Sequence, residues 1–248
     1  MTGPGTGLLD RVVAVTGAGR GLGLQIVREL LAQGAQVVAN YRSWSEDLEQ
    51  LRKEAAGRVH LVRGDIGEES GAVALAQRAR ELGGLDALVC NAAVTRDRLL
   101  VHMPVEDWDE VQRVGLRGAF LCTKHAVKIM IRQRRGRIVY ISSVVARTGN
   151  AGQANYAAAK AGLQGLAYSV AQEYGSYNIR TVVVSPGLLD AGLGVGLPPA
   201  IRRRVADRSL GGVGQVDEVA ATVAFLAGPA ATFVNATTVH IDGGARYP

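Results

Sequence analysis

RVVAVTGAGRGLGLQIVRELLAQG, residues 11–34, holds a strand, a glycine turn and a helix in one uninterrupted run. Arg11 to Thr16 is a short β-branched segment. Leu22, Ile26, Val27, Leu30 and Leu31 then recur at helical spacing, and Gly34 closes the helix. Between the two lie Gly17, Gly21 and Gly23, which let the backbone approach a pyrophosphate whose charge a helix N-terminus favours. Their spacing is GxxxGxG rather than the commoner GxGxxG. The strand before and the helix after supply the context that a glycine word needs.

Outward from this unit, strand-like runs cover residues 36–41, 59–63, 86–90, 138–141, 181–184 and 238–242, with helical patterns between them. Alternating strands and helices predict an α/β chain: a doubly wound Rossmann-type fold with a central parallel sheet of about seven strands and helices on both faces. A length of 248 residues, 48% hydrophobic content and 32 glycines suit one such domain over residues 1–248. No linker, repeat or low-complexity segment divides it. Residues 1–7 read as a flexible tail and residues 188–212 or so as a substrate lid, with IRRRVADR at its end.

Composition narrows the function further. No apolar run approaches the ~18 residues of a membrane helix and MTGPGTG has no signal-peptide pattern, so a cytoplasmic, non-membrane protein is expected. Cys90 and Cys122 lie outside any CxxC and read as packed thiols. His60, His102, His125 and His240 lack metal-ligand spacing, so no metal is expected. The net charge of +6 suits an anionic partner. No helix-turn-helix, zinc or aromatic-platform signature accompanies it, and nucleic acid is not expected.

A second stretch carries the chemistry: IVYISSVVARTGNAGQANYAAAKAG, residues 138–162. Its strand delivers Ser142 and Ser143 to the C-terminal edge of the sheet, where open α/β sheets place ligands. Tyr156 and Lys160 stand four apart on a small-residue helix, hence on one face. A phenol with a pKa near ~10 donates poorly at neutral pH, and a neighbouring ammonium is expected to lower it. A serine hydroxyl can hold a substrate oxygen as charge develops there. Ser143, Tyr156 and Lys160 are the candidate catalytic residues for protonating a carbonyl while hydride arrives from elsewhere.

The words SSVV, GNAGQANYAAAKAG and TGAGRGLG resemble the short-chain dehydrogenase/reductase family, and among its members the 3-oxoacyl-[acyl-carrier-protein] reductases and polyketide ketoreductases. The resemblance spans about Arg11 to Arg246, and its narrowest word is TRDRLLVHM from Thr95. It implies a nicotinamide cofactor held by Gly17, Arg20, Gly21, Leu22, Gly23, Tyr41, Arg42, Asp65, Ile66, Asn91, Ala92, Tyr156, Lys160, Pro186, Gly187 and Leu189. Lys160 would bind the nicotinamide ribose and Asp65 the adenine. Tyr41-Arg42 replaces the acidic residue with which NAD-preferring members meet the adenosine ribose. With Arg20 this points to NADPH, two guanidiniums gripping its 2′-phosphate. The resemblance also implies a homotetramer.

Three positions depart from the family pattern. Gly115 stands where an asparagine of the proton relay is usual, Ala191 where a threonine meets the carboxamide, and Ala93 in the third place of NAG. The implied function is NADPH-dependent reduction of a 3-oxoacyl thioester on an acidic acyl carrier protein. A tailoring ketoreductase of a free or cyclised polyketide, a small-molecule ketone, is the alternative within enzymes. Outside them, the losses at Gly115 and Ala191 suit an NADPH-binding protein with little turnover. For the carrier, Lys128, Arg132, Arg134, Arg135 and Arg137 precede the Ser143 strand as a basic cluster, and Arg202, Arg203 and Arg204 lie on the expected lid. The resemblance places a docking arginine at Arg134, while Tyr177 occupies the place of a second.

Overall fold

The computed structural model describes residues 7–192 and 199–245, without the side chains of Ile201 and Arg204. The expected tail, apart from Gly7, and residues 193–198 of the expected lid lie outside the described residues. Seven parallel strands run in the order β3-β2-β1-β4-β5-β6-β7: β1 Val12–Val15, β2 Gln36–Tyr41, β3 Val59–Arg63, β4 Ala87–Cys90, β5 Gly136–Ile141, β6 Ile179–Pro186 and β7 Thr237–Ile241. The order reverses between β1 and β4, and the crevice outside their C-terminal ends is where such sheets bind ligands.

Burial on both faces explains the unbroken apolar strands. Val13 and Val15 of β1 face one core, shared with α1 Gly21–Ala32, α2 Glu46–Glu54 and α9 Val216–Ala227. Val12 and Ala14 face the other, shared with α3 Glu69–Glu81, α5 Gly118–Gln133 and α7 Ala154–Tyr174. Between α3 and α5, α4 Val105–Gln112 runs into a π turn, Arg113–Arg117. A short α6, Val145–Thr148, follows β5. The described part of the expected lid holds α8, Pro199–Ala206. Among the described residues no helix is long and apolar enough to cross a membrane.

Strand β5 begins at Gly136, two residues earlier than the apolar pattern suggests, because Arg137 pairs with Arg180 of β6 and Ala87 of β4. Ladder hydrogen bonds are indifferent to side-chain polarity. The strand therefore starts where its neighbours do.

Candidate active site

The glycine turn is built by close approach. A Cβ on Gly23 would meet the Gly17 carbonyl oxygen at 2.2 Å, and one on Gly17, at φ +65°, would meet Ala92 Cα at 2.9 Å. Side chains that ligand arguments overlook hold the turn in place. Thr16 Oγ1 accepts from Asn91 N at 2.9 Å and Ala92 N at 3.0 Å, while Asn91 Nδ2 donates to the Thr16 and Gly17 carbonyls at 3.0 and 3.1 Å. Asn91 is thereby a support of the turn. Buried Asn40 donates to the Gly64 carbonyl at 3.1 Å, and its own carbonyl accepts from Ala18 N at 2.8 Å. This ties β2 and β3 to the turn. Leu22 packs against the core below, and Tyr41 does the same from the end of β2.

Two guanidiniums flank this turn. Arg20 is exposed and carries no ion pair among the described residues. Arg42 lies 3.8 Å from Asp65 and 3.5 Å from Glu110. Both carboxylates are claimed more closely by Arg113, at 3.0 and 2.7 Å, and Arg113 also takes Glu68 at 2.9 Å. Asp65 and Glu110 raise the Arg113 guanidinium well above its ordinary range, the bond to Asp65 contributing most. Arg113 therefore neutralises the acids beside Arg42. Asp65 spends its other oxygen on Gly67 N at 2.8 Å, and Ile66 is buried in the core.

At the C-terminal end of β5, Ser142 Oγ donates to the Lys160 carbonyl at 2.9 Å and docks α7 on the strand. Lys160, buried, donates from Nζ to the Ile141 carbonyl at 2.6 Å and stands 5.6 Å from the centre of the Tyr156 ring. Ser143 hydrogen-bonds the Tyr156 hydroxyl. The three candidate catalytic side chains thus meet at one edge of the sheet. Pro186 ends β6 there, accepting from Val144 N at 2.9 Å, and Gly187 N donates to Ile241 at 2.9 Å. Leu189 bridges to Gly214 in the same loop, beside Asp190, whose Oδ1 is buried without a partner.

The electrostatics differ from the expectation. Burial pushes the Tyr156 phenol up to about 12, with the Ser143 bond opposing and Asp97 adding to the rise. Burial also lowers Lys160 to about 8. The ammonium does not depress the phenol in this arrangement, because Nζ faces the Ile141 carbonyl and both groups pay for desolvation.

Asn155, fully buried, was invisible as a functional residue. Its Nδ2 donates to the Arg96 carbonyl at 3.0 Å and its Oδ1 accepts from Tyr156 N at 2.8 Å, which fixes the first turn of α7. The asparagine directly before the tyrosine was the available signal. Gly115 sits inside the π turn, where a Cβ would stand 3.4 Å from that of Ala159, an ordinary contact. Close packing therefore does not require this glycine. Gly162 is different: a Cβ there would reach Leu116 Cδ2 at 2.7 Å.

The expected carrier cluster is not beside this site. Arg134, Arg135 and Arg137 flank the N-terminal end of β5, and Ser143 follows its C-terminal end, so the strand's full length separates them. Arg134 stacks on Tyr177 at 5.6 Å, Arg135 pairs with Asp86 at 3.0 Å, and Arg137 turns inward to Thr232 Oγ1 at 3.2 Å.

The glycine cradle, the exposed guanidiniums and the unpartnered Asp190 oxygen fit a nicotinamide dinucleotide. Comparison with known proteins agrees. Residues 17–246 match a family model described as enoyl-(acyl carrier protein) reductase. Nodulation protein G of Rhizobium sp. (strain N33) is 40% identical over 242 residues, 96% of this chain and 97% of that protein. The 3-oxoacyl-[acyl-carrier-protein] reductase FabG of Staphylococcus aureus (strain N315) is 36% identical over 241 residues, 95% of this chain and 98% of that one. A crystal structure of a protein provisionally named gluconate dehydrogenase, from Agrobacterium tumefaciens, superposes with a TM-score of 0.90 at 28% identity, covering 96% of each chain.

Proposed function

The chain belongs to the short-chain dehydrogenase/reductase family, a family of oxidoreductases that use a nicotinamide cofactor, and from that premise we propose an NADPH-dependent reductase of 3-oxoacyl thioesters carried by an acyl carrier protein. One observation carries the reading: Ser143, Tyr156 and Lys160 converge at the sheet edge that also bears the glycine turn. Bound NADPH supplies the hydride. Gly17, Gly21 and Gly23 would admit its pyrophosphate, Arg20 and Arg42 its 2′-phosphate, and Lys160 its nicotinamide ribose. Lys160 has three donors and spends one on Ile141, so two remain for that role.

Tyr156 gives its proton to the carbonyl oxygen and Ser143 holds that oxygen as charge develops on it. A phenol pushed up to about 12 keeps its proton at neutral pH and so stands ready as the donor when the carbonyl arrives. The family description names enoyl reduction and FabG names 3-oxoacyl reduction. We take the second, supported by identity over nearly the whole chain. Oxidation of NADPH by a 3-oxoacyl thioester, with the enoyl thioester and a cyclic ketone as controls, tests it; turnover of either control alone would overturn it.

For the assembly we propose a homotetramer. Leu99, Leu100, Val101 and Val105 are exposed at the entry to α4, and Phe225 of α9 and Phe233 before β7 are exposed as well, apolar surface that packing between protomers would cover. Light scattering at four times 26.0 kDa is the expected result.

A further inference from the structure

At the N-terminal ends of the strands, across the sheet from Tyr156, lies a cavity of about 160 Å³. Arg11, Arg135 and Arg137 line it together with the apolar Leu8, Ala227 and Pro229. Among the described residues that line it, the one acid is Asp86, and both of its oxygens are already engaged. Asp86 Oδ1 accepts from Arg11 at 2.8 Å and Arg135 at 3.0 Å, and Oδ2 accepts from Val12 N at 3.0 Å.

Arg137 is left over. It is partly buried and has no carboxylate partner among the described residues. Its bonds go to neutral acceptors at long range, the Ala231 carbonyl at 3.3 Å and Thr232 Oγ1 at 3.2 Å. Arg180, on the neighbouring strand, bonds the Gly175 and Ile179 carbonyls and no carboxylate among the described residues. Burial, with Arg180 and Arg11 nearby, lowers the Arg137 guanidinium from its ordinary range. A desolvated guanidinium among like charges is unfavourable unless an anion accompanies it.

We propose that this cavity is a second ligand site, binding a phosphate dianion between Arg11, Arg135 and Arg137. Three guanidiniums less one carboxylate leave a local charge of two, which a dianion balances and a chloride does not. Guanidinium forks match phosphate oxygens. The apolar lining residues suit the carbon skeleton of a small phosphate monoester, although free phosphate would meet the same arginines. The site is separate from the cofactor's: no residue lining it belongs to the glycine turn or to the catalytic edge.

Thermal unfolding of the whole protein tests this, titrated with inorganic phosphate or glycerol 3-phosphate against chloride at equal ionic strength. Ligand that binds only the folded chain raises Tm saturably. The expected result is a phosphate-specific rise in the parent protein and in Arg42→Gln, with the half-saturating concentration raised about tenfold or more in Arg137→Gln and Arg135→Gln. A rise equal in chloride, unchanged in both cavity variants, or lost in Arg42→Gln would overturn the proposal, the last by placing phosphate at the cofactor turn. If Arg137→Gln does not fold, Arg135→Gln decides, since its side chain is 54% exposed. Tighter response to glycerol 3-phosphate identifies a monoester as the ligand; an equal or weaker one identifies free phosphate.

Discussion

Lys160 Nζ donates to the Ile141 carbonyl at 2.6 Å, so the buried ammonium is anchored to the end of the central strand. Burial lowers it from 10.5 to about 8. Between those values the unfolded chain holds a proton that the folded one has released, so this group makes the protein more stable as pH rises through that window. Tyr156 has the opposite sign. Raised from 10.0 to about 12, it contributes stability that is present below 10.0 and lost as pH climbs through about 12. For turnover, reduction should decline above about 8 as the ammonium is lost, and Lys160→Met should abolish that limb while lowering the plateau. A kcat profile that stays level to pH ~10 would contradict this.

Tyr156→Phe keeps the ring and removes the proton donor. Turnover should fall about 10²–10⁴-fold. Cofactor affinity, measured by fluorescence titration with NADPH, should change little, because the Lys160–Ile141 bond does not involve the hydroxyl. Near-normal kcat would remove the tyrosine from the mechanism.

Arg113 makes a prediction about cofactor choice without touching the cofactor. It holds Asp65 and Glu110 more closely than Arg42 does. In Arg113→Gln both acids are free to engage Arg42 and to repel a 2′-phosphate. The ratio of kcat/KM for NADPH over NADH should then fall about tenfold, the scale of one charge-assisted bond. Arg42→Asp should reverse or erase the ratio outright. Equal use of both cofactors by the parent protein would defeat the 2′-phosphate reading from the start.

Gly115→Asn tests the missing side chain of the π turn. A Cβ there makes only an ordinary contact with Ala159, so Tm should stay within a few degrees. Turnover should hold or rise if an amide in this turn assists proton resupply. A folding defect would show that this turn needs glycine after all.

The fold was legible because apolar strands, glycine turns and helical spacing are local signals, and residues 11–34 contain all three. Ser143, Tyr156 and Lys160 were legible for the same reason: one strand, one loop and one helical turn connect them. Arg113 was not. Its partners Asp65 and Glu68 lie 48 and 45 residues away, and only the folded π turn brings them together. Asn91, expected as a cofactor ligand, also braces Thr16 and Gly17, a role hidden from the sequence because strand order, which puts β4 beside β1, is not stated there. The position of Arg134 was readable but misjudged. Residues just before a strand must sit at the end opposite to residues just after it.

That geometry changes how an acyl carrier protein would be received. Tyr156 is in the first turn of α7 and Tyr177, stacked on Arg134, lies past its last, so the rest of α7, roughly 27 Å, and a short 3-10 turn separate them. Within one protomer, Arg134 is too remote to seat a carrier at the catalytic edge. Two protomers packed antiparallel along α5 and α7 about a two-fold axis would place Arg134 of one beside Tyr156 of the other. Arg134→Glu should then lower kcat/KM for a carrier-bound substrate in a salt-sensitive way and leave a small thioester mimic nearly unaffected. Mixed oligomers separate the two arrangements. Refolding Arg134→Glu chains with Tyr156→Phe chains pairs an intact tyrosine with an intact arginine only across protomers. Carrier-dependent activity above that of the unmixed variants is expected; activity no greater than theirs would place docking within one chain, and an equal response of both substrates to Arg134→Glu would remove the carrier and favour a free ketone.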